Sequence, residues 1–62
     1  MSFDLIATET VWYIAHNGGS IIHPGIAYEG CQVTTGQPYF ETFNNETDWL
    51  VRLTELGYQP EN

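Results

Sequence analysis

FNNETDWLVRLTELGY, from Phe43 to Tyr58, is the stretch that decides the fold of this chain. Its apolar residues Trp49, Leu50, Leu53 and Leu56 fall at i, i+1, i+4 and i+7, which is one face of a helix with 3.6 residues per turn. Both ends are marked. Asn44 or Asn45 can accept from the free amides of the first turn, and Glu46 and Asp48 put negative charge at the positive end of the helix dipole. At the other end, Gly57 suits the left-handed C′ position. Tyr58 then falls at C″, where it can pack on Leu53 at C3, and Pro60 discourages any continuation. The spacing predicts a helix over about 45–56. Everything before it reads as a small antiparallel sheet for that helix to cover.

Working back from the helix, apolar runs alternate with glycines and prolines at short intervals, the pattern of a meander of short strands. Three to four strands are expected, over about 8–16, 20–28, 31–35 and 38–43, which makes the fold class α+β. The strongest is TETVWYIAH, Thr8 to His16, with β-branched and aromatic residues in a row. Trp12, Ile14 and His16 share one face; Val11, Tyr13 and Ala15 share the other. Both faces are fairly apolar, so this strand belongs at the centre of the sheet or between the helix and a partner. Asn17-Gly18-Gly19-Ser20 is a turn. With Gly18 and Gly19 at its centre, His16 faces Ile21, Ile14 faces His23, and the two histidines share a face. Pro24-Gly25 interrupts the next strand and implies an edge, a bulge or a bend. Glu29-Gly30 closes a turn, Gly36-Gln37-Pro38 breaks the chain again, and YFETF (Tyr39 to Phe43) runs into the helix. At the front, residues 1–7 carry Phe3, Leu5 and Ile6, and read as an edge strand or as an arm that pairs with a neighbouring subunit.

Residues 1–62 form one small domain. A chain of this size buries only about 60% of the surface that its unfolded form exposes. Cys31 is its only cysteine, so no internal disulfide is available, and a lone thiol fits a reducing compartment or an intracellular assembly. Stability must come from a dense core or from a partner. The composition supports a core: 42% of residues are hydrophobic and 15% aromatic. The formal net charge is −7, with Arg52 the single cation. That balance argues against binding a nucleic-acid backbone or an anionic membrane surface, and allows a basic partner. The first residues, MSFDLIATET, lack the positive flank and apolar run of a signal peptide, and no stretch approaches the length needed to span a bilayer.

Candidate chemistry is sparse. His16 and His23, with Cys31 or Glu29 nearby, would be a thin ligand set for a metal, and ordinary hydrogen-bonded histidines are the better reading. Cys31 with a histidine would make a nucleophile and base, but no helix N-terminus follows it to activate the thiol. The glycines form no phosphate loop. No enzyme, cofactor, metal or small-molecule substrate is therefore expected. The aromatic residues allow three readings: sugar-stacking platforms, protein-interface hot spots, or core. The expected core is Trp12, Ile14, Phe43, Trp49, Leu50, Leu53 and Leu56. The expected interface is Phe3, Leu5, Tyr13, Tyr28 and Tyr39. On the helix, Arg52 is spaced to pair with Asp48 and Glu55.

The segment QPYFETFNNETDWLVRLTELG, Gln37 to Gly57, resembles the ends of small proteins encoded by tailed bacteriophages. There a strand ending in an E-T-F-like triplet leads into an acidic-capped helix that ends in Leu-Gly. The matching residues here are Glu41, Thr42 and Phe43, then Glu46 to Trp49, then Leu53, Leu56 and Gly57. The resemblance implies a structural, virion-associated protein of the tail, baseplate, fibre or capsid surface. It would be located in the virion, or in the host cytoplasm during assembly. The expected function is thus a non-enzymatic, multi-copy interaction module that self-associates or binds a protein partner. The alternative is a small acidic inhibitor, or a DNA-mimic-like protein, that binds a host or phage protein.

Overall fold

Val11–His16, here β2, is the axis of the structure. In the computed structural model, which describes residues 4–34 and 36–58, it lies between Ile22–Ala27 (β3) and Tyr39–Phe43 (β5), antiparallel to both. The expected central position of this strand is therefore met. So is the α+β class, with the helix Glu46–Glu55 (α1) following β5. Two further short strands, Asp4–Ile6 (β1) and Gln32–Thr34 (β4), pair with each other in a separate two-stranded sheet. The third expected strand thus leaves the meander: after β3 the chain turns at 28–31, where Cys31 N–H donates to the Tyr28 carbonyl and Gly30 takes a φ of +84°. Ala7 ties this ribbon down, its N–H donating to the Cys31 carbonyl and its own carbonyl accepting from Gly30 N–H. Within the expected edge strand or arm of residues 1–7, Asp4–Ile6 is the strand of this ribbon, with Leu5 paired to Val33. Phe3 and Pro60, both used in the sequence reading, lie outside the described residues.

The helix forms as its sequence dictates. The Asn45 side chain accepts from Asp48 N–H at 2.8 Å and its amide donates back to the Asp48 carboxylate at 3.1 Å. At the other end Gly57 N–H donates to the Thr54 carbonyl and Tyr58 N–H to the Leu53 carbonyl, with Gly57 at φ +89°. Those two bonds are the Schellman motif, and only a residue without Cβ takes that φ cheaply. The helix packs on β2 and β5. Ile14 is 0% exposed and Leu53 2%, and these are the large side chains that close the core. The remaining buried apolar residues are Ala7, Ala15 and Ala27. Trp12, Phe43, Trp49 and Leu56 are half-buried. The Trp49 indole N–H donates to the Tyr13 carbonyl at 2.9 Å, a bond that sets the helix over the central strand.

Two expectations fail here. Leu50 is 43% exposed and lies outside the core. It is one residue past Trp49, so in helical projection it falls on the opposite side of Leu53 from Arg52, and the helix is centred on β2 and β5, leaving that flank uncovered. Tyr13 is not a free interface ring. It stacks on Phe40, with centroids 5.4 Å apart and planes at 7°. The ring also lies across Gly25 on β3, where a Cβ would clash with its hydroxyl oxygen. Gly25 therefore makes room for an aromatic ring on the far face of the sheet.

Two stability outcomes are expected. Leu53→Ala loses about 2–5 kcal/mol, whereas Leu50→Ala loses less than about 1 kcal/mol, as measured by urea unfolding. Gly25→Ala costs about 1–3 kcal/mol because the Tyr13 ring must move off Phe40. In a double-mutant cycle with Tyr13→Leu, that cost shrinks; full additivity would show that the ring is not what excludes a Cβ.

Candidate functional site

The first turn of the hairpin places the functional histidine. Asn17 follows His16, and its side-chain carbonyl accepts from the backbone N–H groups of Gly19, Ser20 and Ile21 at 3.0–3.1 Å. One asparagine side chain thus organises the connection, which spans 17–21, with Asn17 N–H also donating to the Ile21 carbonyl. A two-residue Gly-Gly turn was expected; the larger loop shifts the register by one. His16 pairs with Ile22, and His23 pairs with Ala15. Directly opposed residues share a face, and a one-residue slip exchanges the faces. The two histidines therefore lie on opposite faces, His16 under the helix and His23 exposed on the other side.

His16 is only 4% exposed and is fully satisfied. Gly18 N–H donates to its Nδ1 at 3.0 Å, so Nδ1 carries no proton. The ring proton is then on Nε2, which donates to Glu41 Oε2 at 2.6 Å. Glu41 reaches this point because it pairs with Ile14 across the β2–β5 ladder, on the face that the helix covers. From the helix, Arg52 Nε donates to both Glu41 carboxylate oxygens, at 3.0 and 3.1 Å. Arg52 Nη1 also lies 3.5 Å from Glu55. Burial alone would raise the Glu41 carboxyl, but the hydrogen bonds from Arg52 and His16 outweigh it and hold the group below its ordinary value of 4.5. The same bond to Glu41 raises the Arg52 guanidinium.

Tyr39 completes the arrangement. It pairs with His16 across the ladder and stacks on its ring, with centroids 5.3 Å apart and planes at 26°. The residue is 54% exposed. A cleft of about 360 Å³ lies here, lined by His16, Tyr39, Glu41, Arg52 and Leu56 together with Gly18 and Phe40.

Of the residues singled out from sequence, His16, Tyr39, Arg52 and Leu56 meet at this cleft. Tyr28 is 59% exposed elsewhere. Cys31 is an exposed thiol. Among the described residues, no three His, Cys, Asp or Glu side chains gather as a metal site. No helix among them is long and apolar enough to cross a membrane. The Arg52–Glu55 pairing was expected, but Asp48 serves the helix cap instead. Glu41 was missed. The sequence groups it with Tyr39 and Phe43 on one side of their strand, but its place against Ile14 comes only from the β2–β5 register.

The carboxylate network makes a sign-definite prediction. A folded-state value below 4.5 means that the stability due to ionised Glu41 is present above that pH and is lost as pH falls through the folded value. The stability gap between the parent and Glu41→Gln should be widest above pH 4.5 and should narrow as pH falls below it in urea titrations. A gap that does not change with pH would contradict the pairing. Comparison of the chain with protein-family models, with curated proteins and with solved structures finds no match.

Proposed function

We propose that this chain is a non-enzymatic interaction module that works in multiple copies as a structural component of a phage virion, in its tail, baseplate, fibre or capsid surface. The observation that carries this reading is the imbalance between covered and uncovered apolar side chains. Ile14 is the one large side chain that is fully buried among the described residues, while Ile6, Ile21, Ile26, Tyr28, Leu50 and Val51 are all exposed. A domain this small gains stability when such surface is covered by a neighbour.

The uncovered surface has a focus. Ile26 pairs with Trp12 and Pro24 with Ile14, so these residues of β3 share the helix-side face of the sheet. The helix sits over β2 and β5, and its Leu50 is exposed. An apolar strip thus runs along an edge strand beside the helix. Sheet edges are where chains add to one another. The phage assignment rests on the resemblance of Gln37 to Gly57, and the multi-copy role rests on this strip.

A net charge of −7 opposes the approach of two copies, and salt screens it. Sedimentation velocity should therefore show an oligomer whose share rises with protein concentration and with salt, and Ile26→Asp should return it to monomer. A parent chain that stays monomeric at every salt concentration would sink the multi-copy role. If that folded monomer also binds a basic protein, with affinity falling as salt rises, the chain is instead the acidic inhibitor.

A further inference from the structure

We propose that the cleft lined by Tyr39 and Arg52 is a binding site for a neutral saccharide, taking one sugar ring against the exposed Tyr39 side chain. The volume of about 360 Å³ lies at the small end of the range for ligand clefts. A pyranose has one face of C–H bonds and a rim of hydroxyls. It needs an aromatic plane for the first, and fixed donors and acceptors for the second. This cleft supplies both.

The aromatic plane is held before any ligand arrives. Tyr39 is backed by the buried His16 ring, and its edge lies where a Cβ on Gly18 would approach to 3.5 Å. His16 is itself fixed at both ring nitrogens, by Gly18 and by Glu41. The platform therefore loses little freedom when a ring stacks on it, which is the condition for useful affinity from a small contact.

The polar rim is held in the same way. Arg52 uses Nε on Glu41 and Nη1 on Glu55, and its Nη2 amine has no partner among the described residues. Glu41 keeps acceptor capacity beside it, since a carboxylate has about four lone-pair sites. Adjacent sugar hydroxyls can then accept from the guanidinium and donate to the carboxylate, as charge-assisted bonds. The charge pattern selects against ions. An anion drawn to Arg52 meets Glu41 and Glu55, and a cation drawn to the carboxylates meets Arg52. A neutral ligand with both donors and acceptors faces no such penalty.

The test is an NMR titration of the full chain with glucose, galactose and N-acetylglucosamine, using acetate and methylguanidinium as charged controls. Arg52 is the only arginine, so its Nε–H signal reports the cleft without ambiguity. At least one sugar should shift that signal and the Gly18 amide saturably, with a Kd on the order of 1 mM. Tyr39→Leu, which keeps apolar bulk but removes the ring face, should weaken binding about tenfold, and Tyr39→Phe should retain it. Tyr39 is largely exposed, so both variants should keep the dispersed spectrum of the parent. No saturable shift with any sugar would overturn the proposal. So would equal binding by Tyr39→Leu, or saturable binding of a charged control with no sugar response.

Discussion

The Glu41 carboxylate is where the three layers of this small domain meet. It sits on β5, accepts from the buried His16 of β2, and accepts twice from Arg52 of the helix. A hydrophobic core defines how much surface is buried but leaves neighbouring elements some freedom to slide. One guanidinium N–H shared between both carboxylate oxygens is a charge-assisted bond that ties the helix to β5 at a defined point. The group is only partly shielded from water, so the pair adds modestly to stability. Its larger effect is asymmetric. Removing Glu41 would leave the Nε2 proton of an almost fully buried histidine with no acceptor, and an unsatisfied buried donor costs more than the bond contributes. His16 is thus tolerable beneath the helix only while Glu41 is there.

The apolar core is correspondingly slight. Ile14 of the sheet and Leu53 of the helix are its buried large side chains, and the other buried apolar residues are three alanines. On the far face, Tyr13 lies over Gly25 and stacks on Phe40, so an aromatic pair covers a strand position that has no side chain of its own. This face needs no second helix. The aromatic residues therefore divide three ways. Tyr13 and Phe40 roof the far face, Trp49 anchors the helix through its indole N–H, and Tyr28 and Tyr39 remain on the surface.

Local signals in the sequence were legible where one residue acts on its own neighbourhood. Asn45, Gly57 and Tyr58 mark the helix ends by capping chemistry that operates over a few residues, and the structure has those bonds. The central place of β2 followed from apolar residues on both of its faces. What could not be read was set by side chains acting over a distance or in unexpected roles. Asn17 replaces a tight turn with a larger loop and so moves the register by one, which separates His16 from His23. Pairing of β4 with β1 depends on the turn at 28–31 steering the chain away from the sheet. Leu50 obeys helical periodicity but misses the core because the helix lies off-centre. Glu41 and Arg52 are 11 residues apart on different elements, beyond the i+3 and i+4 spacings by which helix pairs are recognised.

That off-centre helix has a functional consequence. In projection, Arg52 and Leu50 fall on opposite sides of Leu53, so the helix divides its face of the sheet into two unlike flanks. Toward β5 lies the polar cleft with Tyr39; toward β3 lies the apolar strip with Ile26. Copies that associate through the β3 flank leave the β5 flank open. A single sugar site with a Kd on the order of 1 mM would be too weak to hold a particle to a surface. Several such sites carried on one assembly act together, because each bound site raises the effective concentration of the next, and avidity can exceed the single-site affinity by about 10²–10⁴. The two proposals are physically separate, yet the geometry lets the first amplify the second. On that reading, a shallow cleft would gain its strength from the number of copies that present it.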